Sequence, residues 1–502
     1  MPLKTLAAVW CDLETNGLGL PSRLLDPLAG EILLLRVLRR AVRCPAFERV
    51  VLLARPRDIG RLKGLALPGR CELMETGAAD VPQRAWLRRA RKWSIDGWRG
   101  GIGWTSAMDE EGPPAALWEA CQRFRADAVA RIPSHAPFLD PALMGDLVAQ
   151  HLRRRDTYQI TFAQAPPGLV GEVYHPAFLE RMAKGGVTPR HALMVKPGQD
   201  AMDPQRAECH VDLGERIRNS PCRLSAESPR LWRVCEALAG EERPDAGALL
   251  DRLDPGLWRG DLPREILADM AGPEGWLDPA AWEKGLSDLR LAGDTTVTFG
   301  VREEPLAHPD WNGLLEASRR AGTYGIHVRT SGHGLDETAA ERLMASPADV
   351  VTVRWGTPEA RTALEQLKAV QQRLGTSAPL LCAEFTLRPE NEGELPAWWS
   401  EWAPRLDWLA LRGDSQSPLP LMPPDRRSCR KLSSVLYVRP DGGILPCAEG
   451  APGDPPLGRM GSDPLSSIWK GETLARLGKD HAGGRYPEAA PPCASCREWA
   501  WV

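Results

Sequence analysis

No apolar run in this 502-residue chain approaches the roughly 20 residues that a membrane-spanning helix needs, so no span is expected. Net charge is nearly absent: 63 basic residues stand against 66 acidic ones, a formal net of −3. That balance gives no reason to expect nucleic-acid binding. An export signal is missing too. Leu6-Ala7-Ala8-Val9-Trp10 is too short an apolar stretch and reads as a buried first strand, so a reducing, cytoplasmic setting is expected. Cysteine is missing from the whole interval between Cys235 and Cys382. With 46 prolines, 47 glycines and 19 tryptophans, the composition is that of a loop-rich globular protein, long enough for several domains.

Against that background the C-terminal cysteines stand out. Eight of the 12 cysteines (Cys11, Cys44, Cys71, Cys121, Cys209, Cys222, Cys235 and Cys382) lie singly. Cys429 and Cys447 instead flank a short hairpin: Val435-Leu436-Tyr437-Val438-Arg439 alternates as a strand, Pro440-Asp441-Gly442-Gly443 turns, and Ile444-Leu445 returns. Cys493-Ala494-Ser495-Cys496 then forms a C-x-x-C. In a reducing compartment such clusters bind metal sooner than they form disulfides. Four thiolates suit either one iron–sulfur cluster or a tetrahedral zinc ion.

The remainder reads as α/β. The strand at Leu6–Trp10, a helix over Glu31–Arg43 and a strand at Val50–Ala54 imply a right-handed parallel unit. Ala126–Ile132 is a further strand, running into the loop Pro133–Pro141, at the strand end where such sheets place ligands. A Pro-, Gly- and Asp-rich stretch from Ala239 to about Asp261 marks a boundary. Beyond it a helix over Asp278–Leu289 precedes strands at Thr296–Gly300, Ile326–Gly332, Val350–Val353, Leu380–Leu387 and Trp408–Arg412. Helices alternate with them, as in a full or partial β/α barrel.

Three resemblances follow. Leu20-Pro21-Ser22-Arg23-Leu24-Leu25-Asp26, the segment Asp127–Pro141 and Arg223-Leu224-Ser225-Ala226-Glu227-Ser228-Pro229 resemble motifs of cytidylyltransferases of the spore-coat-polysaccharide type. That likeness implies a nucleotide-diphospho-sugar-transferase-like sheet domain over residues 1–240, with Arg23, Asp140 and Glu227 as nucleotide and metal contacts. Arg23 stands where the family has lysine, and His135 where it has its first metal aspartate, so the domain is expected to be degenerate. Gly300–Asp310, with Glu304-Pro305, and Thr330–Leu335 are similar to motifs of the radical S-adenosylmethionine superfamily. This implies a partial barrel over 241–420, with Glu304 as a vestigial contact to that cofactor. The family's C-x-x-x-C-x-x-C cluster loop belongs near Leu262–Pro273, which has no cysteine; the barrel is read as degenerate and S-adenosylmethionine as doubtful.

From Cys429 onward the sequence resembles the SPASM domain: Cys429, the Pro440-Asp441-Gly442 turn, Pro446-Cys447, Leu457-Gly458, Leu465–Trp469 and Cys493–Cys496 all have counterparts. The resemblance implies a small iron–sulfur domain over 421–502 holding one [4Fe–4S] cluster on Cys429, Cys447, Cys493 and Cys496, with zinc the alternative. In order, the three parts resemble the spirochaete-type SPASM proteins. The expected function is that of a binding or accessory iron–sulfur protein in glycan or peptide modification, with a glycan, nucleotide sugar or peptide as partner. The alternative is an active enzyme, performing radical chemistry with an unconventional cluster or sugar nucleotidyl transfer.

Overall fold

A computed structural model describes residues 3–194, 209–240, 245–253, 255–273, 275–413, 426, 428–450, 453–486, 493, 494 and 496. The chain divides into two compact units, Met1–Trp258 and Arg259–Val502.

The first unit is built on a six-stranded sheet of β1 (Thr5–Cys11), β2 (Arg49–Ala54), β3 (Cys71–Glu75), β4 (Ala128–Ile132), β5 (Ile160–Thr161) and β6 (Glu172–Tyr174). Its order is β3-β2-β1-β4-β6-β5. The pairs β3–β2, β2–β1 and β1–β4 are parallel, whereas β6 runs antiparallel to both β4 and β5. Every residue of β1 is buried, because its alternate side chains feed two different cores. Ala7, Val9 and Cys11 pack into one and Leu6, Ala8 and Trp10 into the other, the pattern of a sheet covered on both faces. The helix Leu33–Arg43 lays Leu33, Leu34, Val37, Leu38 and Ala41 into the first of these cores.

The expected boundary at 240/241 abuts residues outside the described set, and the unit extends further. Asp245 caps the helix Ala246–Arg252, Leu249 joins the first core, and the Ala246 N–H donates to Asp140. Residues up to Trp258 are thereby committed to the first unit.

The second unit carries a nine-stranded sheet: β7 (Glu265–Ala268), β8 (Thr296–Phe299), β9 (Gly325–Thr330), β10 (Val350–Trp355), β11 (Leu380–Leu387), β12 (Trp408–Gly413), β13 (Val435–Val438), β14 (Gly443–Leu445) and β15 (Gly458–Arg459). β7 to β12 are parallel and each neighbours the next, as strand–helix alternation dictates. The order runs from β12 at one edge through β7 to β13, β14 and β15 at the other. The sheet is therefore open, and no closed barrel forms among the described residues. β13 pairs in parallel with β7, Leu267 opposite Tyr437. The cysteine-flanked hairpin thus extends the same sheet instead of standing apart; the expected boundary at 420/421 lies outside the described residues.

Candidate functional site

The four C-terminal cysteines are held by the hairpin and its flanks. Cys429 precedes the short helix Lys431–Ser434 that leads into β13, and its N–H donates to His481 Nδ1 at 3.4 Å. Cys447 follows β14. All four are half-buried. Burial pushes Cys447 up to about 11, with Cys429 adding to the rise and Lys431 opposing it. Burial likewise raises Cys493, and Cys496 and Cys429 raise it further while Arg426 lowers it. Each thiol therefore lies within electrostatic range of another of the set, and mutual repulsion of neighbouring thiolates is what a bound cation relieves. Arg426 also donates to the carbonyls of Cys493 and Ala494, tying the C-x-x-C to the chain just before Cys429.

A second group sits at the C-terminal ends of β7, β8 and β9. Gly300, at φ +78°, ends β8 against β9; a Cβ there would lie 2.0 Å from the Arg329 carbonyl oxygen. The chain then turns so that the N–H groups of Val301, Arg302 and Glu303 all donate to Asp269 Oδ1, at 2.8, 3.1 and 3.2 Å. Tyr437 of β13 donates its hydroxyl to Asp269 Oδ2 at 2.7 Å. A fully buried carboxylate thus fills a nest of backbone amides. Asp269 lies in the segment Leu262–Pro273, where the resemblance places a cysteine loop; instead Ala271–Gly272 pairs with Gly275–Trp276 in a tight hairpin.

Glu304 is consumed in the same way. Its Oε1 accepts from Thr330 Oγ1 at 2.7 Å and the Leu306 N–H at 3.2 Å, and its Oε2 accepts from the Ser331 N–H and hydroxyl, both at 2.7 Å. It clamps the end of β9 to the loop after β8. Arg302 donates to the carbonyls of Ala448 and Gly450, joining this loop to the turn that carries Cys447.

The third group lies in the first unit. Glu111, His135 and Glu227, all buried, bring one ligand atom each to within 4.8 Å of one another. Glu111 Oε2 accepts from the Ser134 N–H at 2.8 Å, and Glu111 Oε1 lies 3.6 Å from His135 Nδ1. Glu227 Oε2 accepts from Arg223 Nε at 2.6 Å and from the Ser225 hydroxyl at 2.5 Å. Arg223 also pairs with Glu110 at 2.6 Å, and Arg91 reaches Glu110 at 2.8 Å. Burial works to raise the Glu110 carboxyl, but the two guanidiniums outweigh it and hold it at about 2. For Glu227 burial prevails and its carboxyl is raised, against the pull of Arg223.

Of the residues expected here, Glu227 joins the group and the other two do not. Asp140 is an N-cap: its Oδ1 accepts from the Ala142 and Leu143 N–H groups and its Oδ2 from Ala246, as an Asp-Pro start to a helix favours. Arg23 pairs with Asp26 at 2.8 Å and stacks over Trp232 at 3.7 Å. Glu111 and Asp269 were not expected; the only sequence signal for Asp269 is an acidic residue directly after an apolar strand.

Comparison with known proteins adds one assignment. Residues 429–497 match the SPASM family of iron–sulfur cluster-binding domains. That stretch includes all four cysteines. No curated protein matches this chain. Among solved structures, BtrN in complex with AdoMet and 2-DOIA is 16% identical, covering 47% of this chain and 93% of its own with a TM-score of 0.33. A cytidylyltransferase from Leptospira borgpetersenii is 13% identical over 50% of this chain and 93% of its own, TM-score 0.34. SuiB of Streptococcus suis bound to S-adenosylmethionine is 12% identical over 47% and 69%, TM-score 0.30. Among the described residues no helix is long and apolar enough to cross a membrane.

Proposed function

We propose that this chain is an iron–sulfur protein holding one [4Fe–4S] cluster on Cys429, Cys447, Cys493 and Cys496, with no second cluster at the ends of β7 and β8. The observation that carries the reading is the pairing of a SPASM match over 429–497 with an Asp269 carboxylate in the place of a cysteine loop. The donor set fits the group: four half-buried cysteines, with Cys447 feeling Cys429 and Cys493 feeling Cys496 and Cys429, and with Arg426 and Lys431 close enough to offset thiolate charge. Cysteine also suits zinc, whose tetrahedral shell at about 2.3 Å would bring sulfurs to about 3.8 Å of each other. The match of 429–497 to an iron–sulfur cluster-binding family favours the cluster.

Four protein ligands leave such a cluster no open coordination position, so what it supplies is electron transfer or a structural cross-link. The chain's own residues keep the rest of the unit closed. Asp269 saturates the amides after β8, and Glu304 is saturated by β9. A methionine amine or carboxylate approaching that loop finds its polar groups engaged. The protein then acts as a binding or accessory component in glycan or peptide modification, in a cytoplasmic setting. Incubation with S-adenosylmethionine and a strong reductant tests this: no 5′-deoxyadenosine above the reagent control is expected, and its accumulation would overturn the reading.

A further inference from the structure

The Glu111, His135 and Glu227 group has a property the surrounding ion pairs lack. Glu227 is 2% exposed, and although its Oε2 is held by Arg223 and Ser225, its Oε1 has no hydrogen-bond partner. A buried, unpartnered carboxylate oxygen is costly, and such an atom calls for an unseen partner. Beside it lies a cavity of about 20 Å³ whose charged walls are Glu110, Glu111, Glu172 and Glu227 against Arg131 and Arg223; His135 stands outside those walls, 3.6 Å from Glu111. The cavity has room for one small occupant, in surroundings with more carboxylates than guanidiniums.

We propose that Glu111, His135 and Glu227 bind a single first-row divalent transition cation. The donors carry the choice of metal. Mg²⁺ demands an all-oxygen octahedron and keeps its waters, and an imidazole does not fit that shell. Imidazole with two carboxylates suits Mn²⁺ through Zn²⁺. The second shell is present as well: the Ser134 N–H and hydroxyl both donate to Glu111 Oε2, and Ser22 Oγ lies 3.5 Å from His135 Nε2, which leaves Nδ1, 3.6 Å from Glu111 Oε1, to face the cation. Such contacts orient ligands in metal sites. The three residues come from different stretches, and the backbone joins two of them directly: the Ala226 N–H donates to the His135 carbonyl.

Mn²⁺ is the probe, because thiolates are poor ligands for it and the C-terminal cysteines do not compete. Titrating the full chain while following the electron paramagnetic resonance of free Mn²⁺ should show one ion bound per chain, with hundredfold Mg²⁺ failing to displace it. Glu227→Gln and His135→Ala should weaken binding at least about tenfold. His135→Asp, which restores an all-oxygen set, should still take Mn²⁺ but now yield it to Mg²⁺; this variant keeps the test decisive if the others fold poorly. Absence of Mn²⁺ binding by the wild-type chain, wild-type affinity in natively folded Glu227→Gln, or unchanged metal preference in His135→Asp would each overturn the proposal.

Discussion

Cysteine, aspartate and glutamate side chains decide this molecule's chemistry by what already occupies them. Asp269 accepts three backbone amides and a tyrosine hydroxyl in a fully buried position. Asp269→Asn turns one acceptor oxygen into a donor facing donors. It should cost about 1–3 kcal/mol, seen as a fall of several degrees in thermal unfolding of the second unit; an unchanged midpoint would show that the nest does not hold the loop. Asp140 carries a lesson in legibility. Its place before Pro141 was a visible N-cap signature, yet resemblance gave it a metal role, and the helix claimed its oxygens. Glu111 was illegible for the opposite reason. Glu110 and Glu111 are two adjacent acids, and Arg91, Arg223, His135 and Arg131, brought in from other stretches, make their burial tolerable.

Strands were the most legible elements. β1, β2, β8, β10, β11 and β12 fall within two residues of their expected limits; for all but the half-exposed edge strand β12 the reason is that sheets buried on both faces leave continuous buried runs. Other features were not legible: β3 and β7 had no expected counterpart. The antiparallel β6 and β5 are short, and nothing in a three- or two-residue run distinguishes them from loop. The pairing of β13 with β7 joins residues about 170 apart in sequence, where local pattern carries no information. The turn after β8 depends on one glycine. Gly300→Ala meets both a positive φ and a Cβ only 2.0 Å from the Arg329 carbonyl oxygen. It should therefore destabilise the second unit by more than the roughly 1–3 kcal/mol of backbone strain alone. Denaturant unfolding reports this, and a loss below 1 kcal/mol would contradict the close approach of β8 and β9.

For the molecule as a whole, buried titratable groups set the pH range of stability. Burial lowers His327 to about 3 and His151 to about 4. Both stay neutral when folded, while the unfolded chain takes up their protons below about 6.5. Unfolding therefore gains protons as pH falls from about 6.5 towards 4, and stability declines in that window. Glu110, depressed to about 2, adds a loss below its ordinary value near 4.5 that is complete only near pH 2. Denaturant midpoints should fall steadily from pH 7 to pH 4, and His327→Gln should flatten the decline in the second unit. A midpoint independent of pH over that range would contradict the buried, neutral state of these histidines.

The central claim concerns the four C-terminal cysteines, and it rests on composition that can be counted. Anaerobic reconstitution of the full chain with iron and sulfide, followed by metal and acid-labile sulfide analysis, should give about four irons and four sulfides per chain, the content of one cubane cluster. Cys493→Ala should abolish the sulfide and the irons that accompany it, leaving at most the single iron that the Glu111 group can hold. Stoichiometric zinc without sulfide, or acid-labile sulfide that survives Cys493→Ala, would contradict the account.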